Sequence, residues 1–249
     1  MKICCQTVTF EGIEAIILDK DGTLENSLDF LRLLAQRRSR FIDAQIPGTG
    51  EPLLMAFGVQ GEVIDPRGLM AVGSREENRI AAAAYIAETG RSWSEALAIA
   101  QQAFQEADQS LPRRAEVSPL FAGTREILSQ WAATGIKLGI LSADSSAGVQ
   151  DFITRHQLGE LIQLGMGVDP PQPSKPDPRL FQQVCEGLGV TPQQALMVGD
   201  SHLDIQMAKA AGAGGVIGIC WGNARAQEIQ GADVAIAHLN ALTLLHQQP

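Results

Sequence analysis

Short apolar runs alternate with helical patterns along most of the chain and predict strands followed by helices. The first clear run, residues 13–18, ends in Asp-Lys-Asp-Gly, which is typical of a buried parallel strand that leads into a loop. Residues 2–10 are expected to form an edge strand, or a hairpin partner, before this strand. Later apolar runs occupy residues 136–141, 161–166, 195–198, 215–220 and 234–236, and the helices between them are predicted at 124–134, 147–157, 178–188 and 203–211. This alternation predicts an α/β fold with a Rossmann-like, doubly wound parallel sheet.

A helical stretch interrupts this alternation after the first strand. Helices are predicted there at residues 28–45, 52–58, 75–89 and 92–109. A capping box begins each of the last two helices. The residues of these boxes are Ser74 with Glu77 and Ser92 with Glu95. The polar residues 61–73 predict a loop between the helices.

The interruption predicts two domains. A chain of 249 residues is long enough for one ordinary domain and a smaller one. Residues 1–24 and 114–249 are expected to form the Rossmann-like core. Residues 25–113 are expected to form an inserted helical domain, with hinges near Asn26 and Pro112.

Composition and charge exclude several classes of partner. The apolar fraction of 45% and charged fraction of 19% are those of an ordinary globular protein. The net charge of −9 opposes binding to nucleic acid and to anionic membranes. No apolar stretch approaches the roughly 20 residues that a membrane helix requires, and the first ten residues lack the pattern of a secretory signal. We therefore expect a cytoplasmic protein without membrane or nucleic-acid partners.

Cysteines and arginines suggest no further site at this stage. The four cysteines, Cys4, Cys5, Cys185 and Cys220, lack the spacing of a zinc site and are too few for a disulfide framework, so free thiols are expected. A basic cluster comprises Arg32, Arg37, Arg38 and Arg40. Because it carries no interleaved aromatic residues, a solvated helix face is expected rather than a binding patch.

Polar side chains follow three of the predicted parallel strands. Asp19 and Asp21 follow the first, Ser142 the second, and Asp200 with Asp204 a third. In open α/β sheets ligands bind beyond the carboxyl ends of the strands, so these side chains are expected to share one crevice. Carboxylates gathered there would repel one another without a cation, and oxygen ligands favour Mg²⁺. One of the first two carboxylates can attack a substrate while the other handles protons.

Other readings of these residues are weaker. An acidic Asp-Gly turn is the plain structural alternative for Asp21 and Gly22. A calcium-binding EF-hand is excluded because its first and last ligand positions would fall on Ile17 and Leu28, which are apolar. The sequence contains neither a GxxxxGK phosphate loop nor a GxSxG nucleophile elbow.

Four segments together resemble the signature motifs of the haloacid dehalogenase superfamily, in the same order. They are Asp19-Lys20-Asp21-Gly22-Thr23-Leu24, Ser142 after Leu-Gly-Ile-Leu, Lys175 in Ser-Lys-Pro-Asp-Pro, and Gly199-Asp200-Ser201 with Asp204. The resemblance spans residues 13–204. Each motif alone is weak, and their order at strand ends makes the resemblance strong.

The resemblance implies a role for each of these residues. Asp19 would be the nucleophile that forms an aspartyl-phosphate, and Asp21 the acid and base. Ser142 and the backbone N–H of Ala143 would bind the phosphate, and Lys175 would neutralise its charge as well as that of the nucleophile. Asp19, the Asp21 carbonyl and Asp200 would bind Mg²⁺, and Asp204 would orient that site from close by.

The helical insertion resembles the cap of the phosphoglycolate phosphatase-like branch. The implied function is Mg²⁺-dependent hydrolysis of a small phosphorylated metabolite, of the phosphoglycolate or sugar-phosphate type. Lys20 departs from the apolar residue common in that branch, and its role is left open. Arg67 and Arg75 are candidates in the cap for contact with a second anionic group, and exposed surface arginines are an equal alternative. A phosphomutase of the same superfamily and a catalytically idle phospho-ligand-binding protein are the alternative functions.

Overall fold

The computed structural model describes residues 1–65, 67–111, 117–169, 171–221, 229 and 231–245. The chain forms two compact units, one of Met1–Asn26 with Pro119–Pro249 and the other of Ser27–Ser118. The expected domain boundary at residues 113 and 114, and the expected hinge at Pro112, lie outside the described residues.

The first unit begins with three strands, β1 (Lys2–Cys5), β2 (Val8–Phe10) and β3 (Ala15–Leu18). Strands β1 and β2 form an antiparallel hairpin. All four residues of β3 are fully buried. Such a continuous apolar run is typical of a strand that is covered on both faces of a parallel sheet.

The second unit follows β3 in the chain. Its elements are α1 (Leu28–Gln45), α2 (Gly50–Phe57), β4 (Val59–Gln60), β5 (Val63–Ile64), α3 (Leu69–Val72), α4 (Arg75–Glu88) and α5 (Trp93–Ser110). Both expected capping boxes are present, at Ser74 and Ser92. The prediction that 61–73 is only a loop is wrong, because β4 and β5 form a small hairpin and α3 follows it. Two-residue strands are too short to show a periodic pattern in the sequence.

The expectation of a solvated arginine face on α1 is wrong for Arg38. Its side chain lies on the buried stripe of the helix, four residues before Ile42, and is only 4% exposed. The guanidinium carbon lies 4.1 Å from the centre of the Phe104 ring, and Nη2 lies 3.6 Å from Oδ1 of Asp108. Cation–π contact and a nearby carboxylate let a buried arginine keep its charge.

The first unit resumes after the second. Its remaining elements are α6 (Thr124–Ala133), β6 (Lys137–Leu141), α7 (Ser146–Arg155), β7 (Leu164–Met166), α8 (Pro178–Leu188), β8 (Ala195–Gly199), α9 (His202–Ala211), β9 (Gly215–Ile219), β10 (Val234–Ile236) and β11 (Leu242–Leu245). Most bounds agree with the sequence-based prediction within two or three residues. Strand β11 was not predicted.

Six strands of the first unit form a parallel sheet in the order β10-β9-β8-β3-β6-β7. Successive residues of β3 alternate between two apolar clusters, with Ile16 in one and Ile17 in the other. Helices pack against the sheet, and the predicted Rossmann-like α/β fold is confirmed. Leu18 at the end of β3 pairs with Ile140 on β6 and Val198 on β8. The residues that follow these three strands therefore meet at one edge of the sheet.

Strands β1, β2 and β11 form a separate antiparallel sheet. Residues 2–10 do form strands, but the expected pairing with the first parallel strand is not found, because β1 and β2 pair with each other in the separate sheet. Lys2 pairs with Leu245 and Cys5 with Leu242, so the contact joins residues almost the whole chain apart. A local sequence pattern carries no signal for such a pairing.

Cys4, Cys5, Cys185 and Cys220 are free thiols, as predicted. Among the described residues, none of the helices has the length and apolar character needed to cross a membrane.

Candidate active site

A buried lysine joins two acidic side chains at the carboxyl edge of the parallel sheet. Lys175 Nζ lies 2.6 Å from Oδ1 of Asp19 and 2.7 Å from Oδ1 of Asp204. Asp19 follows β3, Asp204 lies in the first turn of α9, and Lys175 comes from the loop before α8. Burial disfavours the charged form of Lys175, but the two carboxylates outweigh this effect and raise its pKa. Lys175 therefore stays a cation next to the nucleophile candidate.

Three carboxylates form a group that can hold a metal ion. One oxygen from each of Asp19, Asp200 and Asp204 lies within 4.8 Å of the others. Burial is the largest cause of the raised pKa of Asp19. Burial and the nearby charges of Asp19 and Asp204 raise the pKa of Asp200 well above its usual value. A divalent cation would stabilise the ionised forms of these side chains. The donors are all oxygen, so the residues fit Mg²⁺.

Both oxygens of the Asp204 carboxylate contact protein donors. Oδ1 faces Lys175, and Oδ2 accepts a hydrogen bond of 2.6 Å from the Ser201 hydroxyl. Asp204 is also fully buried. These contacts favour the expected role of Asp204 as a residue that orients the site. The expected metal ligands Asp19, Asp200 and the Asp21 carbonyl stay a prediction.

The loops after β3 and β8 approach each other closely at Gly22. Gly22 has a φ of 73°, and a Cβ atom at this position would lie 2.0 Å from Oδ2 of Asp200. The hydroxyl of Thr23 donates a hydrogen bond of 3.4 Å to Oδ1 of Asp200. Trp221 Nε1 in turn donates to the Thr23 carbonyl at 2.9 Å. Glycine is therefore needed both for the backbone conformation and for the space that Asp200 occupies.

Gly22→Ala is expected to weaken Mg²⁺ binding by at least about tenfold, because the added methyl group displaces a carboxylate that orients or ligates the ion. The left-handed backbone should also destabilise the folded state by about 1–3 kcal/mol. Titration calorimetry with Mg²⁺ measures the first effect and denaturant unfolding the second.

Gly12→Ala is the matched control for this prediction. Gly12 has a φ of 72°, but a Cβ atom there would meet nothing within 4 Å. The control therefore carries the same backbone strain without the contact to Asp200. Equal Mg²⁺ affinity in the two variants would contradict the close-approach argument.

The loop after β6 carries the predicted phosphate-binding residues. Ser142 is fully buried, and its backbone N–H donates to the Met166 carbonyl at 3.0 Å. Its hydroxyl accepts a hydrogen bond of 3.1 Å from the backbone N–H of Asp144. Ala143 lies between them, half-buried, and α7 begins at Ser146. A loop that leads into a helix N-terminus favours an anion, so the predicted role of Ser142 and Ala143 is chemically reasonable.

Lys20 is fully buried among three carboxylates. Its Nζ lies 2.9 Å from Oδ2 of Asp21, 2.8 Å from Oε1 of Glu25 and 3.3 Å from Oδ2 of Asp144. Burial raises the pKa of Glu25, and the Lys20 charge opposes that shift. Sequence reasoning noted Lys20 as unusual but missed Glu25 and Asp144. The available signal in the sequence was a lysine placed between two aspartates directly after an apolar strand.

Arg67 and Arg75 belong to the second unit. Arg67 is exposed, and its Nε lies 3.4 Å from Oδ1 of Asp65. Arg75 Nη1 lies 2.5 Å from Oδ2 of Asp108, so each arginine is next to an acidic residue of its own unit. Their suggested contact with substrate stays a prediction.

Comparison with known proteins gives a family match. The family model for haloacid dehalogenase-like hydrolases matches residues 13–212. A phosphoglycolate phosphatase from Shigella dysenteriae serotype 1 is 30% identical over 206 residues, which cover 82% of this chain and 80% of that protein. A phosphoglycolate phosphatase from Pseudomonas putida is 29% identical over 147 residues, and the match spans 58% of this chain and only about half, 54%, of that protein.

A solved structure has the same fold. It is the crystal structure of a predicted phosphoglycolate phosphatase from Haemophilus somnus 129pt, with a TM-score of 0.67 and 22% sequence identity. The match covers 90% of this chain and 93% of that chain. At this identity the likeness concerns the fold.

Proposed function

The chain belongs to the haloacid dehalogenase-like hydrolase family, and we propose that it is a Mg²⁺-dependent phosphatase of small phosphorylated metabolites. The observation that carries the proposal is the buried contact of Lys175 with Asp19, beside the carboxylates of Asp200 and Asp204. A relative named phosphoglycolate phosphatase supports a substrate of the phosphoglycolate type, and a sugar phosphate is the alternative substrate in this proposal.

The charges at this edge of the sheet suit attack on a phosphate group. A carboxylate repels an anionic phosphate unless nearby positive charge offsets the repulsion. Lys175 lies 2.6 Å from Asp19 and supplies one such charge. Asp19, Asp200 and the Asp21 carbonyl would hold Mg²⁺, which when bound offsets further negative charge as a Lewis acid.

The reaction proceeds in two steps on the side chains of this chain. In the first, a carboxylate oxygen of Asp19 forms a bond to phosphorus while the bond from phosphorus to the substrate oxygen breaks. The protonated Asp21 gives its proton to that departing oxygen, and the substrate leaves as an alcohol. In the second step the Asp21 carboxylate takes a proton from water. The water oxygen bonds to phosphorus, the bond to Asp19 breaks, and inorganic phosphate is released.

Three further groups bind the phosphate oxygens in this proposal. They are the Ser142 hydroxyl, the backbone N–H of Ala143 and the Lys175 ammonium. Donors held in a buried loop need little rearrangement as charge develops, which is the usual source of electrostatic stabilisation. Ser142 is fully buried and Lys175 is 6% exposed.

The second unit, residues 27–118, is proposed to be the cap that selects the substrate. It has its own apolar core and two candidate cationic side chains, Arg67 and Arg75. A second anionic group on the substrate, such as the carboxylate of phosphoglycolate, is the partner proposed for one of these arginines.

Release of inorganic phosphate from a panel of phosphorylated metabolites tests the function. The panel includes phosphoglycolate and several sugar phosphates, and each is assayed with Mg²⁺ and with a chelator. We expect at least one member to be hydrolysed, at least tenfold faster with Mg²⁺, because the buried carboxylates need the cation to offset their charge.

Two other outcomes would contradict the proposal. Conversion of one sugar phosphate to its isomer, dependent on a bisphosphate activator, would identify a phosphomutase. Binding of phosphorylated ligands by folded, Mg²⁺-loaded protein without turnover of any panel member would identify a binding protein.

A further inference from the structure

Lys20 has no role in the proposed reaction, although it lies between Asp19 and Asp21 in the chain. We propose that Lys20 is a positioning residue, whose buried ammonium ties the carboxylate of Asp21 to the loop that carries Ser142. The inference rests on the proposed phosphatase function, in which Asp21 moves the proton.

The surroundings of Lys20 stabilise a buried ammonium group. The side chain is fully buried, and an ammonium taken out of water is strongly unfavourable unless charged partners surround it. Its partners are three carboxylates at 2.8–3.3 Å, on Asp21, Glu25 and Asp144. The Phe152 ring completes the surroundings, with its centre 5.8 Å from Nζ.

The contact with Glu25 closes the loop that carries Asp21. The backbone N–H groups of Leu24 and Glu25 both donate to the Lys20 carbonyl, at 2.9 and 3.0 Å. The Gly22 N–H donates to the Glu25 carbonyl at 3.0 Å. Glu25 is only 1% exposed, so its carboxylate holds the ammonium from inside the loop. Asp21 is thereby fixed through both the backbone and the side chain of Lys20.

The contact with Asp144 joins this loop to the one after β6. Asp144 Oδ1 accepts a hydrogen bond of 2.8 Å from the Ser145 N–H, while its own N–H donates to the Ser142 hydroxyl. A Cβ atom on Gly148 would lie 2.5 Å from Asp144 Oδ2, so the carboxylate fits against the first turn of α7. Asp144 is therefore held in place by its own loop. Because the Lys20 ammonium contacts both Asp144 and Asp21, it fixes the Asp21 carboxylate relative to this loop.

Such positioning matters because proton transfer depends on geometry. An acid must lie within about 2.6–3.2 Å of the oxygen that it protonates. A displacement of about 1 Å at a catalytic group can lower the rate by about 10²-fold. Lys20 contacts the carboxylates of Asp21 and Asp144, so its effect on proton transfer is expected through the position of Asp21.

The double variant Lys20→Met with Glu25→Gln is the informative one. Lys20→Met alone leaves the Glu25 carboxylate buried without the ammonium, which favours unfolding. The double variant removes one buried charge of each sign and keeps both side-chain volumes close to the original. Lys137→Met is the matched control. Lys137 is a partly buried lysine at the start of β6 in the first unit, and it donates to the Leu188 carbonyl instead of to a carboxylate.

The readout is the ratio of kcat/KM for an alkyl phosphate to kcat/KM for 4-nitrophenyl phosphate. Nitrophenolate leaves without a proton, whereas an alkoxide needs one from Asp21. We expect the double variant to lower this ratio at least tenfold, and Lys137→Met to leave it unchanged. A merely structural role would lower both values of kcat/KM by the same factor, and that result, or no change, would overturn the proposal.

Crystal structures of the wild type and the double variant decide the same question without any assay. A displaced or disordered Asp21 carboxylate in the variant supports the proposal. A carboxylate that stays within about 0.5 Å of its original position overturns it. If the wild-type protein hydrolyses no phosphate ester, the proposed function fails, while this comparison still decides whether Lys20 positions Asp21.

Discussion

Asp19→Asn is expected to lower the rate of phosphate release by at least about 10³-fold, because the side-chain amide is not a nucleophile. The substitution keeps the shape of the side chain. It also removes the negative charge that faces Lys175 at 2.6 Å. Initial rates on the best substrate of the panel, at saturating Mg²⁺, measure the effect.

Asp151→Asn is the control for this prediction. Asp151 is a half-buried residue of α7, and its Oδ1 lies 3.8 Å from Nη2 of Arg155. The same chemical change there should leave the rate within twofold of the wild type. If Asp19→Asn kept a tenth or more of the wild-type rate, Asp19 would not be the nucleophile.

Lys175→Met is expected to lower kcat/KM by about 10²–10³-fold, the effect of removing one donor that stabilises charge in a transition state. The methionine keeps the length of the side chain but no longer offsets the charges of Asp19 and the incoming phosphate. Mg²⁺ binding should be as tight as in the wild type or tighter, because a positive charge beside the carboxylates has been removed. Steady-state kinetics and titration calorimetry measure the two effects.

Lys209→Met serves as the control, because Lys209 is half-exposed on α9 and pairs with Asp233 at 3.4 Å. It should change neither kinetics nor metal affinity. Loss of both activity and Mg²⁺ binding in Lys175→Met would instead indicate that the site has collapsed, and full activity would exclude the proposed role.

The sequence contains enough information for most of the first unit. Strand β3 is a short apolar run with all four residues buried, and the last four residues of β6 and all five of β8 are likewise buried. Helix α8 has the predicted bounds because Pro178 begins it, the Asp177 side chain caps it, and its apolar residues repeat at helical spacing. Strand β11 is different, because its pairing with β1 depends on residues about 240 positions away.

Prediction is less complete where charged groups are buried. Residue types at strand ends predict that Asp19 and Asp204 lie together, and the family resemblance adds Lys175. The structure places Lys175 in contact with both carboxylates. The partners of Lys20 cannot be predicted in the same way. Asp144 meets Lys20 because β3 and β6 are neighbours, and Arg38 lies over Phe104 because α1 and α5 pack together. These contacts depend on which elements pack together in the tertiary structure, whereas the sequence pattern indicates only which positions are polar or apolar.

The central position of β3 in the sheet imposes an order on biosynthesis. Strand β3 leaves the ribosome before both of its neighbours, because β6 and β8 follow only after the whole second unit has been made. At about 5–20 residues per second, this apolar segment waits several seconds or more for a partner. The second unit is continuous in sequence and has its own core, so it can fold during that interval. The apolar stretch Ala15–Leu18 therefore has no strand partner from the parallel sheet during that interval.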